Sequence, residues 1–140
     1  MRNTERFLLK AIGDDHAATK AGVLKFLELC QKHGDGVIYV PTMQHLDSTL
    51  LASAIGQDLV KCLAKHKSVK LPTGESIDLC SDRTFKNYKS ASVYLVLWAT
   101  PDMIESLEEA YSCKASVVVT WLENDADKWV KNYKPTELTW

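Results

Sequence analysis

His45 is the residue best placed to move a proton, because imidazole titrates near neutral pH without any perturbation. It stands in a polar stretch from Thr42 to Ser48, with Asp47 two residues on. Two other stretches are as rich in hydrogen-bonding groups. One runs from Ala99 through Thr100 to Asp102, and the other holds Glu123, Asn124, Asp125 and Asp127. His45 acting with an acid of the last stretch would suit hydrolysis by general acid–base chemistry. Alternatively, Thr42, His45, Thr100 and Asn124 would orient a small polar ligand, with Trp98 and Trp121 as apolar walls. Glu123, Asp125 and Asp127 carry the oxygen ligands that magnesium takes. Each group also has a plainer use. Asp47, Thr100, Asp102, Asn124 and Asp125 are residue types that cap helices, and acids in a first turn oppose the helix dipole. The reading is a ligand site built from Thr42, His45, Asp47, Trp98, Thr100, Asp102, Glu123, Asn124 and Asp125. It has no metal and no assigned cofactor, and His45 is its one catalytic candidate.

Familiar catalytic signatures are missing. No Gly-x-Gly-x-x-Gly follows a strand-like run, and no Gly-Lys-Ser or Gly-Lys-Thr occurs to cradle phosphate. Gly74-Glu75-Ser76 continues to Ile77-Asp78, which breaks the nucleophile-elbow pattern. The four cysteines, Cys30, Cys62, Cys80 and Cys113, form no Cys-x-x-Cys pair and read as reduced packing residues. These absences tilt the reading away from an enzyme.

The elements that must position the three stretches are legible from hydrophobic pattern. Val93 to Trp98 and Val117 to Trp121 are nearly continuous apolar runs, as strands covered on both faces are. Between them Thr100-Pro101-Asp102 opens a helix carrying Met103, Ile104, Leu107 and Tyr111, so the whole reads as a βαβ unit in a parallel sheet. Val37 to Val40 is a further strand ended by Pro41, and a long helix follows from Asp47 or Ser48 to about His66, with Gly56 inside it. Val69, Leu71, Ile77 and Leu79 alternate with polar neighbours around Pro72-Thr73-Gly74, which predicts an antiparallel hairpin at the sheet edge. Upstream, Thr4 caps a short helix bearing Phe7, Leu8, Ala11 and Ile12. A second helix capped by Asp14 or Asp15 carries Val23, Phe26, Leu27 and Cys30 inward and stops at Gly34. A short helix presents Phe85, a last one runs from Asn124 or Asp125 to about Tyr133, and the tail from Thr136 to Trp140 is either loose or docked through its terminal Trp. Trp98 and Trp121 each end a strand with an acid four residues later, marking two equivalent strand-to-helix corners.

At 140 residues, 46% hydrophobic and 25% charged, the chain fits one globular domain. The predicted fold is a three-layer α/β/α sandwich with a mainly parallel, Rossmann-like sheet, an antiparallel hairpin at the edge and extra N-terminal helices. A formal net charge of −1 gives no ground for nucleic-acid binding. No secretory or membrane-spanning run occurs, so a cytoplasmic location without membrane association is expected. Charge is nonetheless uneven, with lysines from Lys61 to Lys89 and acids from Asp102 to Asp127. In parallel α/β sheets ligands bind outside the carboxyl ends of the strands, where the three polar stretches converge if their strands are neighbours. The expected function is therefore a ligand-binding or regulatory domain holding a small polar molecule there. The alternatives are a homodimerising interaction module using the hairpin edge from Val69 to Leu79 or the helix from Thr4 to Ile12, and a hydrolase without a recognisable motif.

Overall fold

A computed structural model of the chain describes residues 4–12, 15–41, 57–122 and 124–140. In chain order these form β1 (Glu5–Leu9), α1 (His16–His33), β2 (Gly36–Val40), α2 (Gln57–His66), β3 (Ser68–Lys70) and β4 (Ser76–Ser81). A 3-10 helix (Phe85–Asn87), β5 (Val93–Ala99), α3 (Pro101–Leu107), β6 (Ala115–Thr120), α4 (Asp127–Tyr133) and β7 (Thr136–Glu137) complete the series. The strands make one sheet in the order β3-β4-β2-β5-β6-β1-β7. Every pairing is parallel except β3 with β4, so the α/β class, the parallel sheet and the edge hairpin all stand as expected.

Burial on both faces explains the continuous apolar runs. All residues of β2, β5 and β6 are buried. Alternate side chains feed two cores. One holds Ile38, Leu95, Val117 and Val119 against Val23 and Phe26 of α1 and Leu63 of α2. The other holds Tyr39, Tyr94, Val96 and Val118 against Met103 and Ile104 of α3 and Trp129 of α4. Helices therefore cover both faces, and the sheet is the middle layer.

Asp15 caps α1 by accepting from the Ala18 amide at 2.9 Å, and Gly34 closes it at a φ of 124°. The short helix predicted over Thr4 to Ile12 is instead a strand. Glu5 to Leu9 runs beside Ala115 to Val119 in parallel register. Leu8 enters one core and Leu9 the other, while Ile12 is 63% exposed. Only one N-terminal helix, α1, is present among the described residues. The tail docks, by pairing of Thr136 and Glu137 with Phe7 and Leu8 of β1, while Trp140 is 49% exposed. The long helix expected from Asp47 is described from Gln57 to His66; its start and Gly56 lie outside the described residues.

Candidate functional site

β2, β5 and β6 are neighbours, so their carboxyl ends lie side by side. The Trp121 amide donates to the Ala99 carbonyl at 3.1 Å, tying the ends of β5 and β6 together. The first helix described after β2, α2, packs in the α1-side core, whereas the one after β5, α3, packs on the opposite face. Such a divergence of neighbouring strand exits opens a crevice at the sheet's carboxyl edge.

Trp98 stands at that edge in an unusual state. Val96 pairs with Val118 but Ala99 pairs with Thr120, so β5 carries one extra residue, a β-bulge. The bulge sets Trp98 at a φ of 54°, which a bulky side chain seldom adopts. It also sends Leu97 and Trp98 into the same core, the one beneath α1. Trp98 is only 4% exposed, and its indole N–H is buried without a hydrogen-bond partner among the described residues. Trp121, the matching residue after β6, is 45% exposed, so the two corners that look alike in sequence differ in structure.

The other expected site residues divide. Thr100 caps α3, its hydroxyl accepting from the Met103 amide at 3.4 Å, with Pro101 as the first helical residue. Asp102 is exposed in that first turn. Asp125 accepts from the Leu122 amide at 2.9 Å, and Asn124 is exposed, its carbonyl accepting from the Asp127 amide at 3.2 Å. Thr42, His45, Asp47 and Glu123 lie outside the described residues, so the His45 hydrolase reading gains no geometry. No group of three or more metal-ligating side chains gathers among the described residues.

The strand-end loops also form the lip of a cleft of about 280 Å³ between α3 and α4. Ile104 and Trp129 give it an apolar floor, Pro101 stands at its lip, and Glu105, Asp125, Lys128 and Asn132 give it a polar rim. Its far end is formed by Glu108 and Tyr133 and is firmly built. The Glu108 carboxylate accepts from Arg6 Nε at 3.0 Å, Arg6 Nη2 at 2.8 Å and Trp129 Nε1 at 2.7 Å. Both charged side chains are more than four-fifths buried, and the guanidinium lies 4.4 Å over the Tyr133 ring. Glu108 accordingly raises the Arg6 pKa above its ordinary value, chiefly through these hydrogen bonds. Sequence patterns give no sign of this cluster, because Arg6, Glu108 and Trp129 come from three separate parts of the chain.

A second cavity of about 290 Å³ is polar and is lined by Asp35, Asp78, Asn87 and Ser92 among others. It sits at the amino ends of β2 and β5, away from the loops where parallel sheets hold ligands. Nucleophilic thiol chemistry has no support at Cys30 or Cys80. Burial pushes both thiols up to about 12, which keeps them protonated, as the packing role requires. Tyr39 donates to Asp82 Oδ1 at 2.5 Å and stacks on Phe85 at 4.3 Å; burial, above all, raises its pKa. No helix among the described residues is long and apolar enough to cross a membrane. No known protein family, curated protein or solved structure matches the chain.

Proposed function

We propose that this chain is a small-molecule-binding α/β domain whose ligand occupies the α3–α4 cleft, at the side of the sheet where the β5 and β6 loops end. The observation that carries this reading is the cleft's construction. An apolar floor is joined to a polar end wall that is already assembled, with Glu108 held by three donors. Preorganised polar groups beside apolar surface are what a small-ligand site needs, since little ordering remains to oppose binding. The volume stands near the lower limit of ~300 Å³ for such sites, which suits a compact ligand. Pro101 and Asp125 bring the exits of two neighbouring strands into the lip, and so link the cleft to the region expected from the three polar stretches.

The reading is tested by two-dimensional 1H–15N NMR of the labelled protein against a set of compact aromatic and aliphatic fragments of mixed charge. Fragments that bind should move the amides of Ile104, Glu105 and Lys128 and the indole N–H of Trp129 together. Ile104→Trp, which fills the floor, should abolish those shifts. Because Ile104 is buried, Asn132→Trp serves as a second obstruction placed on the exposed rim. Shifts that avoid the cleft, or persist in both folded variants, would refute the assignment.

A further inference from the structure

We infer that the ligand of the α3–α4 cleft is a small organic amine, bound as its cation with its apolar body on the floor; this rests on the cleft being the binding site. The far end of the cleft shows how this surface treats a positive charge. There Arg6 is held by a carboxylate fork on one side and covers an aromatic ring on the other. Arg6 neutralises Glu108, so that end contributes no net charge to an incoming molecule. Along the open rim stand further charged side chains. Glu105 and Asp125 face one ammonium, Lys128, and none of the three is held in an ion pair among the described residues. Among the described residues of the rim, two carboxylates against one ammonium leave one negative charge. The Trp129 N–H is already given to Glu108. With 3% of its surface exposed, the ring serves the cleft as part of the apolar floor.

An anionic ligand meets the opposite situation. It would approach Glu105 and Asp125, while Lys128, the one ammonium among the described residues lining the cleft, lies at the exposed rim. A neutral ligand gains the apolar floor and leaves the rim charge unanswered. Charge complementarity therefore selects among molecules of one shape, and the selection is measurable.

The experiment compares 2-phenylethylamine, 2-phenylethanol and 3-phenylpropanoate by 1H–15N NMR titration at neutral pH, where the amine is protonated and the acid ionised. The amine should bind at least tenfold more tightly than the alcohol, with its shifts on Glu105, Lys128 and Trp129, and the propanoate more weakly still. The double variant Glu105→Gln/Asp125→Asn keeps an acceptor for the Leu122 amide and should erase the preference for the amine. An amine that binds no better than the alcohol overturns the inference while leaving the cleft as a binding site. If none of the three compounds moves the cleft amides, the inference also fails. Whether the cleft itself survives as a site is then decided separately, by the mapping of the mixed fragment set.

Discussion

The indole N–H of Trp98 is a buried donor without an acceptor among the described residues, and its backbone occupies the left-handed region. A buried, unsatisfied donor costs about 1–3 kcal/mol of desolvation, whereas a bulge at a sheet rim is a recurrent means of re-aiming a side chain. Removing the N–H while keeping an aromatic ring should therefore be cheap. Trp98→Phe is expected to change unfolding stability by less than about 1 kcal/mol, because the lost apolar area and the relieved donor offset one another. Urea unfolding followed by far-UV circular dichroism measures this, and a loss near 3 kcal/mol would mean that the N–H is satisfied in solution. The identity of Trp98 as a strand-end residue is legible in the sequence, since it closes the apolar run from Val93. Its bulge is not, because one extra residue leaves a run that is apolar throughout unchanged. Thr120 escapes notice for a related reason. It is fully buried, and its hydroxyl accepts from the Ala11 amide and donates to the Ala11 carbonyl, both at 2.9 Å. Nothing local marks a threonine that stitches two strand ends far apart in the chain.

At the scale of elements, hydrophobic pattern is decisive where burial is two-sided and misleading where a short segment suits two periods. Phe7, Leu8, Ala11 and Ile12 fall at helical spacing, yet the segment is five residues of strand. Pairing with Ala115 to Val119 decides it, for an isolated turn of helix is unstable and a parallel neighbour satisfies the same backbone groups. The helix that the pattern does identify, α1, carries a constraint of its own at Gly22. A Cβ there would lie 2.6 Å from a Val119 methyl, so the helix rests on β6 as closely as a glycine permits. Gly22→Ala should gain up to ~1 kcal/mol of helix propensity but lose about 1–3 kcal/mol to overpacking, since a β-branched neighbour in a strand has little room to turn. The expected net result is lower stability, read as a lower midpoint in thermal or urea unfolding. A raised midpoint would show that α1 lifts from the sheet without penalty.

Across the whole molecule, hydrophobic pattern locates β2, β5 and β6 but leaves their adjacency open, because the strand order depends on how β1 and β4 insert on either side. The charge asymmetry is plain in the sequence, and the structure gives it consequences for self-association. The hairpin edge is β3, only three residues long, with Lys67 and Lys70 beside or within it. The opposite edge, β7, is two residues long. Ile77 and Leu79 of the hairpin are buried in the α1-side core and offer nothing to a partner. Pairing two copies through β3 would form a minimal ladder and crowd the ammonium groups of both chains along one seam, an arrangement that keeps sheet edges apart. The protein should therefore run as a 15.7 kDa monomer at micromolar concentration, in light scattering coupled to size exclusion, at low and at high salt alike. A mass near twice that value only at high salt would mean that lysine repulsion alone had been holding the edges apart. A salt-independent dimer would instead direct attention to Ile12, Trp121 and Leu122, large apolar residues left exposed just past the neighbouring strands β1 and β6. Trp121→Ser would then dissociate the dimer and leave the hairpin without a role in assembly.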